Sequence, residues 1–492
     1  MEQLSLPHVA WSAIAPEVVL VVGGIVILVA GALLRRLHQS VFTVLTLAVV
    51  AGALVATQRL WHDVTAVTGP RQEVADAIVV DGFSLFLIVV ICVSVGLAVL
   101  VADGYLRREQ LRSPDFYVLM LLSASGAALM AAANDLIVIF LGIEILSIAL
   151  YVLAGFHRRR DQSLEAAIKY FVLGSFSSAF LLYGIALTYG VTGSTNLTSV
   201  ALFLRTNVVS SGTELAALAM LAVGLGFKVA AVPFHMWTPD VYQGSPTPVT
   251  GFMAAAAKAA GFAALLRVAY STFGSSQIDW QPIIWALAVL SLVVGSVLAV
   301  VQTDVKRMLA YSSISHAGYV LVGLQAATDQ GISASLFYLL AYAFMVVGSF
   351  AVVTLVARRG DEGHSLDDYR GLSARRPGLA LLFTVFLLAQ AGVPLTTGFL
   401  AKFTVIAAAV ASGSYALAVI AMLAAVIAAF FYLRVIVVMY MTPEGEGVPA
   451  GRPAIPFGAG AALGVAVAFT LVFGILPSSV LDFARHATLM RF

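Results

Sequence analysis

The sequence is poor in charge, in lysine and in cysteine, and each shortage excludes something. Charged residues are 11% of the 492 residues against 61% hydrophobic, whereas a soluble domain has about 25% charged and roughly 45–50% apolar residues. With a mean hydropathy of +0.99, a bilayer is the solvent, and there is no room for a sizeable soluble domain. The one cysteine, Cys92, lies in an apolar run and excludes a disulfide framework or a Cys-ligated cluster on this chain. No second His or Cys stands at ligand spacing, so a zinc site is not indicated. A net charge of +2 gives no reason to expect nucleic acid. The N-terminal MEQLSLPHVAWSAIAPE lacks a basic n-region and a small-residue cleavage site, so the first apolar run is expected to be retained as a helix.

What is present is a long series of apolar runs, near 16–36, 41–60, 81–102, 114–133, 135–157, 164–190, 213–233, 246–271, 281–302, 304–326, 332–358, 377–411, 414–441 and 455–476. At about 20 residues per crossing these make about fourteen spans, and the expected fold class is an all-α polytopic membrane protein. The run 377–411 is long enough for one broken helix or two short ones. Arginine marks alternate connections: Arg35 and Arg36; Arg107, Arg108 and Arg112; Arg158, Arg159 and Arg160; Lys306 and Arg307; Arg358, Arg359, Arg370, Arg375 and Arg376; and Arg452. The opposite connections hold only Arg59, Arg71, Arg205, Arg485 and Arg491. By the positive-inside rule both termini lie outside the cytoplasm, which an even number of spans requires.

Punctuation inside the helices says more than their number. The seventh run contains GLGFKVAAVPFHMW and the twelfth LAQAGVPLTTGFLAKF. Each combines a proline (Pro233, Pro394), nearby glycine and a lysine. A mid-helix proline removes a backbone bond, and the freed carbonyls then need water, a cation or another helix. Interrupted helices in corresponding positions of two halves point to a transport site. The two lie five spans apart, so spans 4–8 (114–271) and 9–13 (281–441) form two five-helix units. Five being odd, the second is inverted. Segments 1–113 and 455–492 flank them. Lys228 precedes its proline whereas Lys402 follows its own, so the breaks are analogous rather than superimposable.

Only five lysines occur, and Lys169, Lys228, Lys258 and Lys402 lie in apolar, helix-length stretches. Intramembrane ionisable residues usually face a protein interior or a watery cavity, and a buried lysine can release its proton where arginine stays charged. Glu144 is the only acid at the middle of a span, and a buried lysine, Lys228, is its natural partner. Lys258 stands among alanines and glycines that permit close packing. His316, in the polar run YSSISHAGY, suits a proton link between lysines. His235, in the first break, is as well explained by a structural hydrogen bond, and Lys169 by an ion pair with Glu165. Lys306 reads as an interfacial anchor, and Arg267 and Arg434 as snorkelling side chains. These residues motivate a proton-moving membrane protein. A stand-alone sodium/proton antiporter and a structural spacer with charges as interhelical glue are the competing readings.

The segments FKVAAVPFHMWTPDVYQGSPTPVTGFMAAAAKAAGF, YSSISHAGYVLVG and AGVPLTTGFLAKF closely resemble the antiporter-like membrane subunits of bacterial proton-translocating NADH:quinone oxidoreductase (respiratory complex I). The resemblance covers essentially the whole chain. Lys258 and the expected lack of a long lateral helix after the fourteenth span favour the subunit N branch over the L and M branches. The resemblance implies fourteen helices with two inverted five-helix repeats (4–8 and 9–13), broken helices 7 and 12, and a central hydrophilic axis. It implies Glu144 paired with Lys228, Lys258 as the linking site, Lys402 as the second-half lysine, His316 as the tenth-helix histidine and Lys169 as a sixth-helix lysine. It places flavin, iron–sulfur clusters and quinone on other subunits and no cofactor or metal on this chain. Neighbouring membrane-arm subunits, including another antiporter-like one, lipids, protons and water are its implied partners, in the bacterial plasma membrane.

Overall fold

The computed structural model describes residues 10–34, 38–111, 113–207, 211–443 and 454–490. Arg35, Arg36, Arg112, Arg452 and Arg491, and the first nine residues of the segment expected to lead into the first helix, lie outside the described residues.

The helices follow the apolar runs. The first seven spans are Ala15–Leu33, Gln39–Asp63, Gly82–Arg108, Asp115–Ala132, Leu136–Ala154, Asp161–Thr192 and Ser211–Val229. The eighth is Thr247–Thr272, followed by Gln277–Val300, Val305–Gln325 and Asp329–Val356. The twelfth is two short helices, Pro377–Ala391 and Thr397–Ala411, and Tyr415–Met441 and Phe457–Ile475 complete the series. Among the described residues twelve helices are long and apolar enough to cross a membrane. The tenth, rich in hydroxyls, and the divided twelfth complete fourteen. The protein is therefore an all-α, multi-pass membrane protein, with one small hairpin pairing Arg71–Glu73 with Ile78–Val80.

Short polar side chains set where spans begin. Asp81, Asp135, Asp304 and Thr396 each accept a bond from a backbone N–H in the first turn of the third, fifth, tenth and divided twelfth spans, satisfying donors that a helix start leaves open. Asp81 and Ser84 form a reciprocal capping box.

Alternate connections gather at the same end. At one end Arg108 donates to the carbonyls of Thr354 and Ala357 and Arg160 to that of Gly244. At the other, Ile78 bridges Ala133, Asp135 bridges Asn196 and Thr488 accepts from the Phe83 N–H. The arginine-bearing connections thus share one end.

The eighth span lies at the centre, buried at every residue but Tyr270. Its alanines and glycine remove side-chain bulk where the third, fourth, seventh and eleventh spans press against it. Two π-turns, Met253–Ala257 and Arg267–Thr272, interrupt its α-helical bonding, the first ending directly before Lys258. A similar close approach joins the ninth and tenth spans: a Cβ at Gly295 would meet Ser315 N at 2.5 Å, and one at Gly318 would meet Leu292 N at 2.8 Å.

Arg267 does not snorkel. Its guanidinium is buried against Asp81, with Nη1 to Oδ2 at 2.9 Å and Nη2 to Oδ1 at 3.0 Å. Asp81 also accepts from the Met490 N–H at 3.0 Å. The apolar neighbourhood of Arg267 hid a partner 186 residues away. Arg434 is half-buried and donates to the Val300 carbonyl at 3.0 Å, where a cation complements the end of the ninth helix. Breaking a buried pair by removing one partner costs about 3–5 kcal/mol, whereas apolar replacement of both is often neutral. Asp81→Ala is therefore expected to lower the thermal stability of the detergent-solubilised protein strongly, and Asp81→Leu with Arg267→Met to recover most of the loss. Equal melting temperatures for Asp81→Ala and wild type would contradict this.

Candidate functional site

Both helix breaks leave backbone groups to be satisfied, and each is completed by side chains. The seventh span ends at Val229, and Ala230 turns the chain at φ +61°. The Phe227 carbonyl accepts from Trp237 Nε1 at 2.9 Å, and the Val232 N–H donates to Ser291 Oγ at 2.9 Å. A second helix, Trp237–Gly244, resumes the direction of travel. In the twelfth span Gly392 at φ +93° and Leu395 at φ +69° make the turn. At Gly392 any larger residue would be strained, since only glycine takes this conformation freely. The Ala391 carbonyl, one of those left open at the end of the first half-helix, accepts from Lys402 Nζ at 3.0 Å. The amine sits at the negative end of a helix dipole.

Four lysines are buried, and three of them, Lys228, Lys258 and Lys402, are among the expected site residues. Lys228 Nζ donates to Ser147 Oγ of the fifth span at 2.7 Å and lies over the Tyr170 ring. Lys258 Nζ lies 2.5 Å from both the carbonyl and the hydroxyl oxygen of Ser313 on the tenth span. Lys402 Nζ stands over the Tyr319 ring, 4.9 Å from its centre. Between Lys258 and Lys402 lies His316, with Nδ1 2.6 Å from the Tyr338 hydroxyl and Nε2 3.1 Å from that of Tyr432. Tyr432 also bonds Ser312. The His316 ring packs on Tyr342, centroids 4.7 Å apart, and Tyr319 stacks on Tyr338. Lys258 and His316 each lie 11 residues inside the arginine-rich end of their helices, or about 16 Å at 1.5 Å per residue, close to the middle of a hydrocarbon layer about 30 Å thick.

The other expected residues stand apart from this line in different ways. Glu144 is half-buried, and its carboxylate accepts from Ser178 Oγ at 2.5 Å. Among the described residues it forms no ion pair with Lys228. Helical spacing explains this: Ser147, one turn on from Glu144, occupies the position facing the lysine. Ser147, Ser178 and Lys228 line one small cavity. Lys169 is partly exposed at the arginine-rich end, paired with Glu165 and Asp240 at 2.7 Å each, and Asp240 also accepts from Arg307 at 2.6 Å. Lys169, Glu165 and Asp240 line an open polar cleft with Arg160, Asp304 and His364. His235 is half-buried in the turn beside Pro233, and among the described residues none of its hydrogen bonds reaches the others named above.

A family model described as "NADH:quinone oxidoreductase/Mrp antiporter, TM" matches residues 133–428, which hold every candidate residue from Glu144 to Lys402. The chain belongs to this family. It is 44% identical over 477 residues to the NADH-quinone oxidoreductase subunit N of Trichlorobacter lovleyi, covering 97% of this chain and 96% of the relative. It is 43% identical to subunit N 1 of Solibacter usitatus, covering 96% of each. A chain of the respiratory complex I structure from Thermus thermophilus with bound aureothin superposes with a TM-score of 0.80 at 36% identity, covering 96% of this chain and 99% of that one. A chain of the Mrp complex from Dietzia sp. DQ12-45-1b shares the fold at a TM-score of 0.84 and 21% identity, covering 96% of each.

Within this fold, the sequence reading missed a second buried polar centre. Lys306 is not an interfacial anchor: it is fully buried, with Nζ 2.7 Å from the Ser245 carbonyl and 3.5 Å from Asp361 Oδ2. Asp361 joins five elements. Besides Lys306, it accepts from Thr247 Oγ1 at 2.8 Å at the start of the eighth span, and it lies 3.5 Å from Arg160, 3.4 Å from His364 and 4.0 Å from Arg108. Its position in a polar loop gave no sign of burial. The tyrosines around His316 were also missed, although Tyr338 and Tyr342 stand four apart on one helix face.

Burial alone would raise the Asp361 carboxyl, but Lys306, His364 and Arg160 outweigh it and hold the group well below the ordinary carboxylate range. A depressed folded-state value stabilises the fold above the unfolded carboxyl's pKa of about 3.9, and the gain is lost as pH falls through the lower folded value. Asp361→Asn is therefore expected to melt well below wild type from pH 5 to 8, with the gap closing only as the medium is acidified below about pH 4. Thermal unfolding across that series checks it, and a gap that closes already between pH 7 and 5 would contradict it.

Proposed function

We propose that this chain is the antiporter-like, proton-translocating membrane subunit N of a bacterial NADH:quinone oxidoreductase. It carries protons across the bilayer while quinone is reduced on other subunits. Glu144, Lys228, Lys258, His316 and Lys402 are its proton-carrying residues, with Lys169 and His235 subsidiary. The observation that carries this reading is the nature of the lysine partners. Lys228, Lys258 and Lys402 each meet neutral oxygens rather than a carboxylate. A charge kept for registry would be paired and fixed. An amine held only by hydroxyls and carbonyls has no counter-ion locking its proton in place.

In this reading a charge change arriving from a neighbouring subunit acts on Glu144 and Lys228 and is passed through Lys258 and His316 to Lys402. Coulombic coupling is strong where water is scarce. The interrupted seventh and twelfth helices occupy equivalent places in two inverted repeats, 114–271 and 281–441. The arginine-rich end faces the cytoplasm of the plasma membrane, leaving both termini outside. Flavin, iron–sulfur clusters and quinone belong to partner subunits, and a second antiporter-like subunit and lipids flank this one.

The deciding experiment is proton pumping by the reconstituted complex carrying Lys228→Met or Lys402→Met. Each change is expected to leave assembly intact and to reduce the protons pumped per electron pair. Full stoichiometry with both changes removes these lysines from the mechanism. Sodium-dependent pH gradients formed by this chain alone in vesicles would instead favour a stand-alone antiporter.

A further inference from the structure

We propose that the ring of Tyr319 is the counter-charge of Lys402, holding the ammonium by its π-face where no carboxylate is present, so that Tyr319 sets how firmly the amine keeps its proton. The inference rests on the proton-translocation reading above and adds to it a positioning residue that acts through Lys402.

An ammonium has three N–H donors and no acceptor, and away from water its charge needs partners within the protein. Lys402 has the longest oxygen contact of the three interior amines. Lys228 has the Ser147 hydroxyl at 2.7 Å and Lys258 has two oxygens of Ser313. Among the described residues Lys402 makes one hydrogen bond, to the Ala391 carbonyl at 3.0 Å, and no ion pair. It also has the closest ring. Its Nζ lies 4.9 Å from the centre of Tyr319, whereas Lys228 and Lys258 stand 5.9 Å from Tyr170 and Tyr342, at the outer limit of about 6 Å for a cation over a ring face. The longest oxygen contact and the shortest ring contact fall on the same amine.

Both partners are held in place. The Lys402 stem is pressed against Gly392, where a Cβ would stand 3.0 Å from Cδ, and the head lies between the Ala391 carbonyl and the ring. Tyr319 is fully buried, its hydroxyl donates to the Ala421 carbonyl of the thirteenth span at 2.8 Å, and its ring stacks on that of Tyr338 with 13° between the planes. With the hydroxyl hydrogen given to a carbonyl, the part of Tyr319 that meets the amine is the ring.

A ring face and a carboxylate differ in a way that matters to a proton carrier. Both attract an ammonium, but a carboxylate can take the proton and leave a neutral pair, whereas a ring has no site for it. The ring favours the loaded amine without competing for its load. The other titratable groups gathered round this pair are His316 of the tenth span, Tyr338 and Tyr342 of the eleventh and Tyr432 of the thirteenth, with Lys258 beyond His316. The first half of the twelfth span and the fourteenth span carry none.

The test is made in the intact complex reconstituted into vesicles. Assembly, NADH:quinone turnover and protons pumped per electron pair are measured from about pH 6 to about pH 10. In Tyr319→Leu the alkaline limb of the pumping profile, where Lys402 no longer reloads, is expected to move down by about one pH unit. Tyr319→Phe, which keeps the ring and loses only the hydroxyl, is expected to bring the limb back close to its wild-type position. Phenylalanines bearing one, two and three ring fluorines, introduced at position 319, change the ring's size little but progressively weaken its negative face, and are expected to move the limb down stepwise. Coinciding profiles for phenylalanine and its trifluoro derivative overturn the proposal. So does a Tyr319→Leu profile that matches wild type, or a Tyr319→Phe profile displaced as far as that of Tyr319→Leu. If Tyr319→Leu fails to assemble or to pump, the fluorine series decides. Full pumping in Lys402→Met would sink the underlying translocation reading for this lysine, whereas its loss alongside an unmoved fluorine series sinks the ring proposal alone.

Discussion

A charge or an open backbone group at the centre of a bilayer must find its partner within the protein, and the interior of this molecule is arranged around that demand. Each helix break exposes carbonyls and N–H groups, and each is closed by a side chain brought from elsewhere: Trp237 and Ser291 at the first, Lys402 at the second. Every buried amine in turn needs an oxygen, which Ser147, Ser313, the Ala391 carbonyl and, for Lys306, the Ser245 carbonyl provide. Break and charge support each other at the second interruption, where Lys402 meets the open Ala391 carbonyl; the first is closed by neutral side chains.

Two kinds of buried polar contact coexist. Near the arginine-rich end Asp361 gathers cations from several connections, and at the opposite end Asp81 and Arg267 lock the third span to the eighth. Both are full ion pairs, and both hold elements in register. The line at mid-depth has amines facing hydroxyls, aromatic rings and one imidazole. Its groups are held in place without the strong mutual attraction of opposite charges. Rigid frames above and below with a weakly polarised middle suit the proton-carrying role proposed for the interior amines.

Much of this was legible in the chain. The apolar runs gave the fourteen crossings, the Pro and Gly clusters at 233 and 394 gave the two interruptions, and isolated lysines in apolar surroundings marked the interior amines. What stayed hidden was pairing across long sequence distances. Arg267 and Lys306 look like interfacial cations locally, and only the fold brings Asp81 and Asp361 to them. Glu144 and Lys228 look complementary, yet the geometry of the fifth helix presents Ser147 to the amine. Tyrosines are ordinary in membrane helices, so nothing distinguished Tyr338, Tyr342 and Tyr432 until the tenth, eleventh and thirteenth spans converged on His316.

The burial of the eighth span on all sides bears on how the protein is made. This segment has an ammonium and a guanidinium along an alanine-rich body, and each such charge opposes entry into lipid by about 2.5–3.5 kcal/mol at a helix centre. By itself it is a poor candidate for release from the translocon. Its partner for Arg267 precedes it in synthesis, as do the third, fourth and seventh helices that enclose it. Its partner for Lys258 follows it. Biogenesis thus requires the nascent chain to shelter this helix against its earlier neighbours until the tenth emerges, which makes order of synthesis part of the architecture.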